Sequence, residues 1–128
     1  MLVDTTLLID FLKGEKNAVS MIEELDDIYT TEINAYELLV GANLIKNNKE
    51  RYLKDVLILI DSINILPLER EGTIKAAEIS SELIMKGKMI EETDALIAGI
   101  AISFGIKEII TANVSHFERI SQIKAIRH

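Results

Sequence analysis

Short apolar runs alternate with longer amphipathic ones along this chain, and the alternation predicts its architecture. Met1-Leu2-Val3, Asp27-Ile28-Tyr29-Thr30, Ile63 to Leu66 and Lys107 to Thr111 are too short for helices and read as strands. The last of these carries consecutive isoleucines, as a strand buried on both faces does. Ile123 to Ile126 predicts a short final strand. Between the strands lie segments with apolar residues three and four apart: Thr5 through Leu12, Asn17 to Leu25, Glu32 to Lys46, Arg51 to Asp61, Glu69 to Lys86 and Thr93 to Phe104. Gly14, Gly87 and Gly105 stand at helix ends, and Pro67 ends the third strand. Strands separated by helices imply crossover connections and a parallel sheet. No Gly/Ser/Pro-rich linker and no repeat divides residues 1–128, so a single α/β domain is expected.

Open parallel sheets place ligands beyond the carboxyl ends of their strands, which directs attention to the polar residues there. Asp4 follows the first strand directly. Its plain reading is a helix N-cap, yet the position also aims a carboxylate at the ligand-binding edge. Asp10, farther along the same helix, reads as a solvated or locally paired acid. Glu37 is the only charge between Glu32 and Lys46, with Ile33 one turn before it and Val40 and Gly41 one turn after. A lone carboxylate in such company is costly to bury unless a salt bridge or a metal ion compensates it. Asp94 opens the apolar run Ala95-Leu96-Ile97-Ala98 and faces the core side, although acids in a first turn also favour the helix dipole. Glu91 and Glu92 read as ordinary first-turn charges, with a place lining the same pocket as the alternative for either. Thr111 and Asn113 emerge at the end of the fourth strand, either supporting the site or capping the next short helix. His116 reads as a loop residue, with ligand or phosphate contact as the alternatives.

Composition narrows the chemistry. The hydrophobic fraction of 48% and charged fraction of 27% are those of a globular protein, and no run is long enough to cross a membrane. Met1-Leu2-Val3-Asp4 lacks the basic region and apolar core of a signal peptide, so a cytoplasmic location is expected. The absence of cysteine rules out disulfides, thiolate metal sites and cysteine nucleophiles. The net charge of −7 argues against a plain nucleic-acid-binding module but less against a nuclease whose bound cations reverse the sign of the pocket. Three carboxylates set against apolar surroundings form an oxygen-only donor set, which suits Mg²⁺ or Mn²⁺. Such sites polarise a phosphate and activate water for attack on a phosphodiester.

Four segments together resemble the PIN domain family, and within it the VapC-type toxin ribonucleases. They are Leu2 through Gly14, with Thr6 where Asn or Ser is usual; Ala35-Tyr36-Glu37-Leu38-Leu39-Val40-Gly41-Ala42; Gly87-Lys88-Met89-Ile90 followed by Asp94 through Gly99; and Ile110 through Ile120. The resemblance covers essentially the whole chain. It implies a three-layer α/β/α sandwich around a four- or five-stranded, mainly parallel sheet. It also implies Mg²⁺- or Mn²⁺-dependent cleavage of RNA, dimerisation, and neutralisation by a cognate antitoxin. The family's metal-binding acids fall on Asp4, Glu37 and Asp94, and supporting polar positions on Thr6, Thr111, Asn113 and His116. His116 is a departure, because many relatives carry an acid at that place. Single-metal catalysis, reduced activity and a non-catalytic binding or scaffold module therefore stay open. Lys86, Lys88 and Arg119 flank the motifs and are the candidates for gripping phosphate. A response-regulator receiver is the other acidic α/β domain to weigh. It needs adjacent acids after the first strand and a phosphorylatable Asp after the third, and this chain has Thr5-Thr6 and Leu66-Pro67-Leu68-Glu69 there.

Overall fold

The fold follows from two periodicities: strands that alternate between two faces and helices that cover both. A computed structural model describes all residues, 1–128. The strands are β1 (Leu2–Val3), β2 (Tyr29–Thr31), β3 (Asn64–Leu66), β4 (Glu108–Thr111) and β5 (Lys124–Arg127). They form one sheet in the order β3-β2-β1-β4-β5, and every pairing is parallel. The helices are α1 (Thr5–Leu12), α2 (Lys16–Glu23), α3 (Glu32–Leu44), α4 (Lys49–Ser62), α5 (Arg70–Met85), α6 (Glu92–Ser103) and α7 (Val114–Phe117).

Successive side chains of a strand point to opposite faces. Leu2 and Ile109 accordingly join one buried cluster, with Ile79 and Leu83 of α5, Ile97 and Ile100 of α6, and Phe117 of α7. Val3 and Ile110 join the other, with Leu7 and Leu8 of α1, Ile22 of α2, Leu38 of α3, and Val56 and Leu59 of α4. The result is the expected three-layer sandwich, with five strands. Residues buried on both faces explain the unbroken apolar runs of β1 and β4. No helix is long and apolar enough to cross a membrane.

Three features position the functional edge. The chain runs outward from β1 through β2 to β3, then returns to the other side of β1 for β4 and β5. The strand order therefore reverses between β1 and β4, which opens a crevice at their carboxyl ends. Second, α5 and α6 approach closely because the contact is built from small residues. A Cβ on Gly99 would lie 2.6 Å from both the Ala76 nitrogen and the Gly72 carbonyl oxygen. Third, the chain turns out of α6 at Gly105, just past the cap residue Phe104; its φ of +76° suits glycine, and Ile106 N–H donates back to the Ala101 carbonyl at 2.8 Å. This reversal feeds the chain into β4. The second strand starts two residues later than the apolar run predicts, because Asp27 lies before the first residue paired with β1, Tyr29.

Candidate active site

Asp4, Glu37 and Asp94, from three distant parts of the chain, meet at the carboxyl edge of the sheet. Asp4 is only 3% exposed and Asp94 only 4%, so both carboxylates lie within the protein. Asp4 is the residue after β1, and its reading as a helix cap holds. It is the N-cap of α1, with Oδ1 accepting from Thr5 N–H at 2.9 Å, and it lies at the carboxyl edge where the strand order reverses. Its backbone N–H donates to the Ile110 carbonyl at 2.9 Å, which fixes it against β4. Asn34 Nδ2 donates to Oδ1 at 2.9 Å and Thr111 Oγ1 donates to Oδ2 at 2.6 Å. Together these bonds fix the orientation of the Asp4 carboxylate.

Glu37 stands one turn after Asn34 on α3. Its Oε1 accepts from Thr5 Oγ1 at 2.7 Å, and Thr5 Oγ1 in turn accepts from Asn34 Nδ2 at 3.0 Å. Burial lifts the Glu37 carboxyl above its ordinary pKa of 4.5; the Thr5 hydrogen bond opposes this, and the negative charges of Asp4, Asp94 and Glu91 push it higher. Asp94 sits in the first turn of α6, where His116 Nδ1 lies 2.8 Å from its Oδ2. Burial again raises its pKa above the ordinary 3.8, against the hydrogen bond and charge of His116, while Asp4 and Glu91 raise it further. No lysine or arginine forms an ion pair with any of these acids. Three mutually repelling carboxylates with no lysine or arginine paired to them, and only His116 set against Asp94, make a place for a cation. No three His, Asp or Glu side chains close into a complete ligand set. An oxygen set that leaves room for water fits Mg²⁺ or Mn²⁺, which commonly keep several waters and take only a few carboxylates.

The structure brings together more than the sequence indicated. Asn34 and Thr5 are both buried, and together they tie Asp4 to Glu37. The available signal was the Thr31-x-x-Asn34 pattern ahead of an apolar helix. It forms a capping box, with Thr31 N–H donating to Asn34 Oδ1 at 3.1 Å and Asn34 N–H donating to Thr31 Oγ1 at 3.2 Å. Glu91, the N-cap of α6, proves to be a site charge, since it acts on both Glu37 and Asp94.

Other candidates take more specific places. Thr6 Oγ1 accepts from Ala112 N–H at 3.3 Å, joining the starts of two site segments. Thr111 is fully buried and holds Asp4, whereas Asn113 is exposed at the rim and its side chain caps nothing. His116 is not a loop residue: it lies on α7, turned toward Asp94. Asp10 is not paired locally either. Its Oδ2 lies 3.2 Å from Nε2 of His128, at the far end of the chain. Among the basic candidates, Lys86 pairs with Glu82 at 2.8 Å. The Arg119 guanidinium donates to the Met89 carbonyl at 2.9 Å, which anchors the segment leading to α6. Lys88 forms no ion pair.

Known proteins resemble this chain in sequence and fold. The chain is 32% identical over 114 residues to the tRNA(fMet)-specific endonuclease VapC of Salmonella typhimurium, covering 85% of each. It is 39% identical over 70 residues to a VapC ribonuclease of Pyrococcus furiosus, a match that spans 55% of this chain and 45% of that protein. Among solved structures, a chain of the DNA-bound VapBC of Salmonella typhimurium superposes with a TM-score of 0.87 at 28% identity, covering 98% of this chain and 96% of that one. The PIN domain model matches residues 1–123, a stretch that contains every acid gathered at the sheet edge, and the chain belongs to the PIN domain family.

Proposed function

We propose that the protein is a metal-dependent endoribonuclease, the toxin of a VapBC-type toxin–antitoxin pair. The observation that carries this is the convergence of Asp4, Glu37 and Asp94 at the β1/β4 switch point with no lysine or arginine paired to any of them. The VapC relatives, one named a ribonuclease and the other a tRNA endonuclease, support RNA as the substrate. The VapBC neighbour supports an antitoxin partner, and the family resemblance supports a homodimer acting in the cytoplasm.

Asp4, Glu37 and Asp94 would hold Mg²⁺ or Mn²⁺ directly or through water. When bound, the cation polarises the scissile phosphate and lowers the pKa of an attacking water. The protein's own part is preorganisation. Asn34, Thr5 and Thr111 hold the Asp4 carboxylate in one orientation, and Thr5 fixes Glu37 beside it. Glu37 and Asp94, whose pKa values burial raises, are the carboxylates suited to accept the proton from water. Lys88 is the flanking base left free to meet phosphate.

The test is cleavage of RNA, tRNA(fMet) first, by purified protein with Mg²⁺ or Mn²⁺ against EDTA, beside Asp4→Asn and Glu37→Gln. Cutting that needs the ion and is lost in both variants is the expected result. Equal cutting by variants and wild type would refute the assignment.

A further inference from the structure

Resting on the ribonuclease reading above, we infer that Arg127 grips the RNA backbone at the phosphate next to the scissile one, and that the Asp10–His128 contact clasps it in place. Leu2, Ile109 and Ala125 lie on one face of the sheet, and Val3, Ile110 and Ile126 on the other. One residue farther along each strand, Asp4, Thr111 and Arg127 therefore stand in a row on the first face, with Thr111 in register with Arg127. Neighbouring strands are about 4.8 Å apart, so the Arg127 backbone lies about 10 Å from that of Asp4. Thr111 fills the interval and is committed to Asp4 at 2.6 Å. The guanidinium stays at the lip of the site, where Nη1 donates to the Ala112 carbonyl at 3.4 Å. From there it reaches a phosphate beside the scissile one, not the scissile one itself.

The charge pattern selects Arg127. Of the two cations on β5, Lys124 at the amino end pairs with Glu108 at 3.7 Å, whereas Arg127 at the carboxyl end is exposed and forms no ion pair. The chain carries a net charge of −7, so an unpaired cation on the edge where three acids gather is the exception that a polyanion needs. A guanidinium offers a rigid fork of donors that matches phosphate, and the bond to Ala112 leaves most of that fork free. The next residue holds Arg127 in position. His128 turns to the opposite face, where Nε2 lies 3.2 Å from Oδ2 of Asp10 on α1, and its side chain is only 10% exposed. An anchor directly after Arg127 keeps the strand from fraying and reduces the ordering cost of binding.

Fluorescence anisotropy of a labelled single-stranded RNA tests this in Mg²⁺ over a range of salt, with the full chain carrying Asp4→Asn so that the RNA stays whole. Arg127→Ala in that background should weaken binding about tenfold. The slope of log affinity against log salt should become shallower by about 0.7, the share of one phosphate on a single strand. Arg127→Lys should keep the slope, because the charge remains. Lys124→Ala, already paired with Glu108, should change neither quantity. His128→Ala should weaken binding by less and leave the slope as it is; an affinity equal to that of its parent would overturn the clasp. An unchanged slope in Arg127→Ala would overturn the phosphate grip, while ion-dependent cutting by the wild type would still stand. RNA that the wild type neither binds nor cuts would sink the grip and the ribonuclease reading together.

Discussion

Asn34→Ala removes the group that joins the two halves of the site, and its cost follows from the bonds it breaks. Asn34 is fully buried; its amide donates to the Asp4 carboxylate at 2.9 Å and to Thr5 at 3.0 Å, and its carbonyl accepts from Thr31 N–H at 3.1 Å. A hydrogen bond to a charged group contributes about 1.5–3 kcal/mol. The capping box on α3 adds about 1 kcal/mol. Together these give a loss of about 3 kcal/mol, which for a domain of this size lowers the melting temperature by roughly 10 °C. Urea unfolding of the metal-free protein, followed by far-ultraviolet circular dichroism, measures the loss. Asn34→Asp separates the electrostatic part from the packing part. It sets a second carboxylate where a donor to Asp4 stood, so it should be worse than alanine at neutral pH and recover on acidification, as two adjacent carboxyls come to share a proton. A loss below about 1 kcal/mol for Asn34→Ala would refute the reasoning, since it would mean that water or Thr111 satisfies Asp4 without the amide.

Three further outcomes follow from the same geometry. Glu37 and Asp94 have folded-state pKa values raised above 4.5 and 3.8, so the folded state binds more protons than the unfolded one between those values and the raised ones. Their contribution to stability is full below the unfolded values and is lost as pH rises through the folded ones; the metal-free wild type should therefore lose stability toward neutral pH more steeply than Glu37→Gln, and equal slopes would contradict this. Thr111→Val keeps the shape but removes the 2.6 Å hydrogen bond to Asp4, and should cost about 1.5–3 kcal/mol in urea unfolding, together with a loss of RNA cleavage. Gly99→Ala places a methyl 2.6 Å from α5 backbone atoms, and should lower stability by about 1–3 kcal/mol or more; a neutral effect in a thermal melt would show that α5 and α6 can separate freely.

Much of this protein was legible in the order of its residues. Unbroken apolar strands between helical periods dictated a parallel sheet, because Val3 and Ile110 must face one helical layer while Leu2 and Ile109 face the other. Asp4, Glu37 and Asp94 stood out because a carboxylate amid apolar neighbours needs a reason to be there. Spacing along the chain could not reveal which groups satisfy those acids, since hydrogen-bond partners are chosen by distance in space. Asn34 and Thr5 meet Asp4 and Glu37 only because β1 pairs with β2 and α3 begins where β2 ends. Thr111 meets Asp4 across 107 residues because β4 lies on the other flank of β1. His116, read locally as a loop residue, becomes the partner of Asp94 because α7 packs against the start of α6. The sequence by itself determined the layers and the three acids, through burial patterns that are local. Only the tertiary structure decided the network that holds the acids, because that network exists where the strand order reverses and distant ends of the chain are brought within hydrogen-bonding distance.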